Sequence, residues 1–357
     1  MAAKKLVLTG GGTAGHVTPN LALVPALRER GFEIEYVGSH EGIEKTLVAR
    51  SGLPYHAVHT GKLRRYASWQ NLIDPFLTLW GVVEAVLLMR RLRPRAVFSK
   101  GGFVAVPVVV GAWVNRIPVL VHESDLSPGL ANRLSFPFAR HVCMSFEETR
   151  ERLANPRKAV FTGTPIRPEL LQGDRARGIR DLGLASDRST LLVFGGSLGA
   201  KALNDAVRPL ARAMPADLQV LHVCGKGNLD PTLNGVAGYR QFEYLDAGFA
   251  DVLACADVVV SRAGANTLWE LLALRKPAIL VPLPAVASRG DQIENAKLFA
   301  DRGWATVVEQ RELSPERLLA SVELMLRERA RFVAALERAV RPDSVRVLVD
   351  LIESAAR

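Results

Sequence analysis

A glycine-rich loop at residues 10–15 leads directly into His16. Glycines at such a place let the backbone approach an anion, and the N-terminus of a following helix supplies unpaired N–H groups and a favourable dipole. The loop is therefore predicted to bind phosphate, although a tight turn between a strand and a helix has the same pattern. The His16 imidazole is a candidate base for a hydroxyl proton, or a side chain that holds substrate by hydrogen bonds.

A second glycine-rich loop lies at residues 195–199. One dinucleotide cofactor would have no use for it, whereas two substrates with phosphates on opposite walls of a cleft would use both loops. The first loop reads GGGTAGH instead of a clean GxGxxG, and Glu33 and Glu35 are weak candidates for a ribose-binding acid. A nicotinamide dehydrogenase is therefore a disfavoured alternative, and it should bind NAD and show no affinity for UDP.

Polar side chains beyond residue 164 suit a nucleotide sugar. Glu270 lies on a predicted helix opened by SRAGANTLWELL, after the buried strand DVVVS. Its carboxylate could accept hydrogen bonds from two adjacent ribose hydroxyls, or it could be a surface acid of that helix. Arg167 lies beside two prolines, where it could pair with a diphosphate, contact a base or remain solvated. The segment SRGDQIENA places amides and carboxylates at the start of another helix.

Neither a metal nor another cofactor is predicted. The chain contains no Asp-x-Asp pair, the usual metal-holding motif of single-domain nucleotide-sugar transferases. A leaving diphosphate would then be stabilised by helix N-termini and cationic side chains. The three cysteines, Cys143, Cys224 and Cys255, are far apart in apolar runs, so they indicate core residues in a reducing compartment.

Short apolar strands alternate with helical segments in both halves of the chain, which predicts an α/β fold with parallel sheets. The first half contains KKLVLT, IEYVG, AVFS, PVLVH and HVCMS, and the second contains STLLVF, QVLHVCG, ADVVVS and PAILVPL. Prolines and a polar stretch after FTGT indicate a linker. We therefore predict two Rossmann-like domains, residues 1–164 and 165–340, that face each other across a cleft. The carboxyl ends of the strands would place both glycine loops there.

Positive charge is concentrated in the first half. Residues 1–164 contain 21 Lys and Arg against 12 Asp and Glu, a net charge of +9, while residues 165–357 contain 25 against 24, a net charge of +1. No zinc spacing or aromatic-rich strand-binding motif accompanies this charge, so no nucleic-acid partner is predicted. An anionic membrane surface or a phosphate-rich substrate is the favoured partner.

Residues 62–93, KLRRYASWQNLIDPFLTLWGVVEAVLLMRRLR, combine basic ends with an apolar middle. Such a segment suits docking at a bilayer interface, although a packed helix with solvated ends has the same composition. The apolar anchors would be Leu72, Ile73, Phe76, Leu77, Trp80, Val83 and Leu87. No uncharged run reaches the roughly 20 residues that span a bilayer, and the first apolar run ends at once in glycines, unlike a signal peptide. A cytoplasmic protein with peripheral membrane contact is predicted.

Seven motifs occur in order along the chain: GGGTAGHVTPNLAL, KGGFVAVP, HESDLSPGLANR, GTPIR, GGSLGAKALN, SRAGANTLWEL and DQIENA. Together they resemble the MurG family of peptidoglycan N-acetylglucosaminyltransferases over nearly the whole chain. The resemblance implies a two-domain glycosyltransferase fold of the B type, with a last helix at 341–357 joining the first domain. It also implies inverting transfer of N-acetylglucosamine from UDP-GlcNAc to the 4-hydroxyl of undecaprenyl-diphosphate-linked muramoyl-pentapeptide, at the cytoplasmic membrane face.

The resemblance also implies roles for individual residues. Thr13, Ala14, Gly15 and His16 would line the acceptor side and approach the donor sugar. Ala14 stands where many relatives have glycine, which the loop tolerates if that position needs no positive φ. Asp125 stands where relatives often have Asn, as a contact of the donor sugar.

On the donor wall, the resemblance places residues around each part of the nucleotide sugar. They are Arg167 and Ser197 at the diphosphate and nucleotide, the Leu245 backbone at uracil, Glu270 at the ribose, Ala265, Asn266, Thr267 and Leu268 around the phosphates and sugar, and Gln292 at the sugar hydroxyls. Another UDP-sugar enzyme of the same fold, such as a glycolipid glycosyltransferase or a UDP-GlcNAc epimerase, is the main alternative. An epimerase acts on a soluble substrate and would not need the segment at 62–93.

Overall fold

The computed structural model describes residues 4–61, 70–196, 199–245 and 248–357, with the backbone alone for 70–73. Contacts divide the chain into two compact units. The first unit consists of residues 1–167 together with 341–357, and the second of residues 168–340. The division therefore lies between Arg167 and Pro168, and the chain returns to the first unit at its C-terminal end.

The first unit contains a seven-stranded parallel sheet. Its strands are β1 (Lys4–Thr9), β2 (Phe32–Ser39), β3 (Tyr55–Val58), β4 (Ala96–Ser99), β5 (Val119–Glu123), β6 (His141–Met144) and β7 (Ala159–Phe161). The helices of its N-terminal part are α1 (Ala14–Glu29), α2 (Ile43–Arg50), α3 (Gln70–Leu92), α4 (Ala105–Val114) and α5 (Leu130–Ser135). The strand order is β3-β2-β1-β4-β5-β6-β7, so the direction of winding reverses between β1 and β4.

The second unit contains a six-stranded parallel sheet. Its strands are β8 (Ser189–Phe194), β9 (Leu218–Val223), β10 (Tyr239–Phe242), β11 (Val258–Ser261), β12 (Ala278–Leu280) and β13 (Ala305–Val307). From residue 168 onward the helices are α6 (Arg175–Leu182), α7 (Lys201–Arg212), α8 (Phe249–Cys255), α9 (Ala265–Ala273), α10 (Asp291–Asp301), α11 (Pro315–Arg327), α12 (Arg329–Glu337) and α13 (Ser344–Ala355). The order β10-β9-β8-β11-β12-β13 reverses between β8 and β11.

Strand β1 shows why these sequences form parallel sheets. Leu6, Val7 and Leu8 are all fully buried. Successive side chains of a strand point to opposite faces, so Leu6 and Leu8 join the core on one face and Val7 joins the core on the other. A central strand of a sheet covered by helices on both faces needs this continuous apolar run.

Helix α13 packs on the first unit because its apolar side faces α1. Leu348 and Ile352 are fully buried in the same core as Leu23 and Leu27 of α1. Each such side chain contributes about 1.5–3 kcal/mol by burial. The exposed ion pairs between Arg30 and the acids of α13 add little, because solvent screens them.

Candidate functional site

The first glycine loop connects β1 to α1, and two other segments hold it in place. The Gly11 N–H donates to Gly101 O (3.3 Å), and the Gly12 N–H donates to Glu44 Oε2 (3.0 Å). Gly12 has a φ of +86°, a left-handed conformation that strains any residue with a side chain. A Cβ on Gly11 would overlap the Glu44 carboxylate. The geometry of the loop itself therefore requires these glycines.

Glu44, on α2, is fully buried and anchors this loop. Its Oε1 accepts hydrogen bonds from the Ser39 N–H (3.1 Å) and the Ser39 hydroxyl (2.5 Å). Burial alone would raise the pKa of the Glu44 carboxyl, but hydrogen bonds from Ser39 and from the Gly12 N–H outweigh it and lower that pKa. The carboxylate is therefore ionised at neutral pH. Nothing in the sequence distinguishes Glu44, since a lone acid near a helix start is usually a surface charge.

His16 is half-buried in the first turn of α1. Its Nδ1 lies 3.0 Å from Lys100 O. A carbonyl oxygen only accepts, so Nδ1 carries the proton of the neutral ring and the lone pair is at Nε2. This tautomer is the one that a general base needs. Ala14 is the first residue of α1 and has no positive φ, so the backbone there does not require glycine.

Lys100 directly follows β4 and is fully buried. Its Nζ lies 2.8 Å from His122 Nδ1 and also donates to the Ser124 hydroxyl. Since His122 Nε2 lies 2.8 Å from Gly163 O, Nε2 carries the proton and Nδ1 accepts from Lys100. Burial lowers the pKa of Lys100 to about 7, against the opposing effect of nearby carboxylates. Lys100 is the first residue of the motif KGGFVAVP, but the sequence by itself indicates no role for it.

Lys100→Met is expected to remove a pH dependence of stability that the wild type shows. The folded-state pKa of about 7 lies below the ordinary value of 10.5, so between these values the unfolded chain binds more protons. The free energy of unfolding, wild type minus variant, should therefore rise as pH increases from 7 towards 10.5. Urea denaturation across this range measures the difference. Lys201→Met, at an exposed lysine, is the control and should show no such trend.

Glu123 organises the loop that follows β5 and carries Asp125. The Glu123 carboxylate is buried, and its Oε1 accepts the Asp125 N–H at 2.9 Å. Its Oε2 accepts the Gly129 N–H at 3.0 Å and the Asn132 side-chain amide at 2.8 Å. Asp125 is half-buried on this braced loop. The predicted contact residue therefore has a fixed backbone position.

Strand order brings these segments of the first unit together. β4 lies between β1 and β5, and parallel strands place their carboxyl ends at one edge of the sheet. The Lys100 N–H donates to Thr9 O at 2.9 Å, and a Cβ on Gly102 would overlap Gly11 O. His16, Lys100 and the Asp125 loop therefore lie around the reversal point between β1 and β4. Open α/β sheets bind ligands at such points.

In the second unit, α9 begins at the corresponding reversal point, next to the carboxyl end of β8. The preceding residue, Gly264, has no side chain to cap the helix, which suits an anion at its N-terminus. The first turn consists of the predicted residues Ala265, Asn266, Thr267 and Leu268. Since the Ala265 side chain is buried, a ligand would meet its backbone, whereas the Leu268 N–H already donates to Gly264 O at 3.0 Å. Glu270 is half-buried in the second turn.

Gln292 lies at the second position of α10 and is half-buried. Its Oε1 accepts the Leu283 N–H at 3.1 Å, which orients the side-chain NH₂ as the group that can donate to a ligand. The Asn295 side chain donates to Ala263 O at 3.4 Å and so links α10 to the loop before α9. The structure therefore brings Gln292 and the start of α9 into one region.

Three other predicted contact residues lie apart from the starts of α9 and α10 in the sequence. Arg167 is half-buried and is the last residue of the first unit. Leu245 is half-buried and follows the edge strand β10. Ser197 lies outside the described residues.

Helix α3 carries an exposed apolar stripe. The stripe consists of Phe76, Leu79, Trp80, Val83 and Leu87, which are between 48% and 73% exposed. Their spacing places them along one side of the helix, while Ala85 and Met89 are buried in the core. Of the other predicted anchors, Leu77 is half-buried, and the Leu72 and Ile73 side chains lie outside the described residues. Among the helices that the structure describes, none is long and apolar enough to cross a bilayer.

Comparison with known proteins gives matches for both halves of the chain. The glycosyltransferase family 28 N-terminal domain matches residues 6–144, and the family 28 C-terminal domain matches residues 190–349. The UDP-N-acetylglucosamine--N-acetylmuramyl-(pentapeptide) pyrophosphoryl-undecaprenol N-acetylglucosamine transferase of Geobacillus kaustophilus is 48% identical, over 99% of both chains. The transferase of the same name from Lachnoclostridium phytofermentans is 50% identical, over 98% of both chains.

The crystal structure of MurG from Acinetobacter baumannii is also similar. It has 28% sequence identity and a TM-score of 0.78, and the match covers 98% of this chain and 99% of that one. These similarities and the two parallel sheets confirm the predicted α/β fold of two Rossmann-like domains. The alternative of a nicotinamide dehydrogenase is wrong. With relatives this similar over nearly their whole length, the chain belongs to glycosyltransferase family 28 and, within it, to the MurG family of N-acetylglucosaminyltransferases.

Proposed function

We propose that this enzyme transfers N-acetylglucosamine from UDP-N-acetylglucosamine to the 4-hydroxyl of N-acetylmuramoyl-pentapeptide carried on undecaprenyl diphosphate, as in peptidoglycan synthesis. The observation that carries the proposal is 48% identity, over 99% of both chains, with a transferase named for these substrates. An epimerase or a different glycolipid transferase of the same fold would not be expected to share this identity from end to end. The reaction would invert the configuration at the anomeric carbon.

The donor would bind to the second unit. The Glu270 carboxylate would accept hydrogen bonds from the two ribose hydroxyls, and the α9 N-terminus would face the diphosphate. The Gln292 amide, held by the Leu283 N–H, would donate to a sugar hydroxyl. The remaining proposed contacts are Arg167, Ser197, the Leu245 backbone, Asn266 and Thr267.

The acceptor would approach the first unit beside Thr13, Gly15 and His16. Its 4-hydroxyl oxygen forms a bond to the anomeric carbon while the bond from that carbon to the diphosphate oxygen breaks. The hydroxyl proton moves to His16 Nε2, and UDP leaves with the bonding electrons. The Lys100 carbonyl, which accepts from His16 Nδ1, stabilises the positive charge that the ring gains in this step.

Charge that develops on the departing diphosphate would be stabilised by the α9 N-terminus and by Arg167. Transfer is therefore expected to continue in EDTA. The assay uses UDP-N-acetylglucosamine with a labelled sugar as donor and a lipid-linked muramoyl-pentapeptide as acceptor. The transfer of label is measured with and without the chelator. Product that carries label in both conditions supports the proposal. UDP binding without transfer to this acceptor would contradict it and would favour another UDP-sugar enzyme of the fold.

We also propose that the protein attaches peripherally to the cytoplasmic face of the cell membrane, where a lipid-linked acceptor lies. Two features of the first half support this location. Residues 1–164 carry a net charge of +9, from 21 basic and 12 acidic residues, and the apolar stripe of α3 is exposed. Insertion of apolar side chains together with attraction to anionic lipids is how peripheral proteins bind bilayers.

Leu87→Ser is expected to weaken binding to anionic vesicles by roughly tenfold, because it removes an apolar side chain that would enter the interface. Flotation with vesicles of phosphatidylglycerol and phosphatidylethanolamine at low salt measures the bound fraction. Leu171→Ser is the matched control, since Leu171 in the second unit is also 58% exposed. Equal loss of binding in both variants, or none in Leu87→Ser, would contradict docking through the stripe.

A further inference from the structure

Two histidines and a glutamate meet in the first unit, distinct from the residues of the proposed reaction. His40 follows β2, His59 follows β3, and Glu84 lies in the middle of α3. One potential ligand atom from each residue lies within 4.8 Å of those of the other two. His59 and Glu84 alone are 25 residues apart, so no short sequence motif indicates the cluster.

His59 and Glu84 are held in position by close packing of α3. His59 Nδ1 lies 2.8 Å from Glu84 Oε1, and the His59 N–H donates to Glu84 Oε2, also at 2.8 Å. The Trp80 indole N–H donates to Glu84 Oε1 at 3.1 Å. A Cβ on Gly81 would overlap His59 O, so the helix backbone approaches this segment closely. Hydrogen bonds to a carboxylate ligand of this kind orient it for a metal.

The His40 ring can complete this arrangement. Its centroid lies 4.5 Å from that of the His59 ring, with the planes tilted by 48°. Ligand atoms around a tetrahedral zinc ion are about 3.3 Å apart, given bonds of about 2.0–2.1 Å. His40 is exposed, so a small rotation of its side chain closes the remaining distance at low cost.

The donor set decides which ion suits this place. Imidazole nitrogens bind borderline divalent ions such as Zn²⁺, whereas Mg²⁺ prefers an octahedral shell of oxygens. Two imidazoles and one carboxylate supply three of four tetrahedral positions, and water can take the fourth. We propose that His40, His59 and Glu84 form a binding site for a divalent transition-metal ion, with Zn²⁺ the preferred occupant.

Metal bound here would restrain the segment that supports the first glycine loop. His40 follows Ser39, whose N–H and hydroxyl both donate to Glu44. Glu44 in turn accepts the Gly12 N–H. An ion that binds the folded arrangement and not the unfolded chain stabilises the fold. Zn²⁺ should therefore raise the Tm of the wild type more than it raises the Tm of His40→Ala at the same zinc concentration.

Zinc affinity of the full-length chain without a histidine tag tests the site directly. Titration against a chromophoric chelator should show one Zn²⁺ per chain in the wild type. His40→Ala, His59→Ala and Glu84→Gln should each weaken zinc affinity by at least about tenfold, because each removes a metal ligand. His56→Ala is the matched control, because His56 pairs with Glu35 at 2.8 Å without a second histidine. Its affinity should equal that of the wild type.

X-ray absorption at the zinc edge adds a measurement that does not depend on how well the variants fold. The wild-type spectrum should show two imidazoles and oxygen ligands. A shell with one imidazole or with oxygens alone, or wild-type affinity in His40→Ala, would overturn the proposal. Neither zinc affinity nor the absorption spectrum involves sugar transfer. Failure of the metal-site proposal would therefore be distinguishable from failure of the proposed function.

Discussion

Replacing Glu270 by alanine is expected to lower kcat/KM for UDP-N-acetylglucosamine by about 10²–10⁴-fold, since two hydrogen bonds to a carboxylate contribute roughly 1.5–3 kcal/mol each. Glu270 is half-buried in the second turn of α9, one turn beyond the helix start that would face the diphosphate. Ribose hydroxyls would therefore lie within reach of its carboxylate. Initial rates at varied donor and saturating acceptor measure the change.

Two controls separate a ribose contact from general damage to the fold. Glu323→Ala removes an exposed acid of α11 in the same unit and should leave kcat/KM unchanged. A donor that lacks the ribose 2′-hydroxyl should be a poorer substrate for the wild type, while Glu270→Ala should discriminate little between the two donors. If the variant discriminates between them as strongly as the wild type, Glu270 does not bind the ribose.

Replacing His16 by alanine is expected to lower kcat by about 10²–10⁴-fold, the usual contribution of a general base. The KM for the donor should change little, because the donor is proposed to bind to the second unit. The hydrogen bond from Nδ1 to Lys100 O fixes the tautomer whose Nε2 can take the proton. Single-turnover rates with bound donor measure the chemical step.

His16→Asn distinguishes a general base from a side chain that only holds substrate or the loop in place by hydrogen bonds. An asparagine amide can still donate to Lys100 O, but it cannot take up a proton. A base therefore predicts the same loss of kcat for Asn as for Ala, and loss of the acidic limb of the pH profile of kcat. Recovery of most activity in His16→Asn would contradict the base and establish a bracing role. His56→Ala, at another half-buried histidine, should keep wild-type kcat.

The strands that apolar runs predict are those in the interior of the two sheets. The central residues of β1, β4, β8 and β11 are buried on both faces of the sheets, and these buried residues are mostly apolar. The strands that this pattern does not indicate are β3, β7, β10 and β13. All four are sheet edges of three or four residues with partly exposed side chains. An edge strand is selected by pairing with its neighbour, and a local pattern does not record that pairing.

The sequence by itself determined three features, because each is defined by a few consecutive residues. They are the two glycine loops, the position of His16 directly after the first loop, and the position of Glu270 after a buried strand. Tertiary structure alone decided that Glu44 and Lys100 are buried against the first loop. It also brought His40, His59 and Glu84 together. The physical reason is that a charged side chain tolerates burial only where distant segments supply its hydrogen bonds, and strand order determines which segments meet.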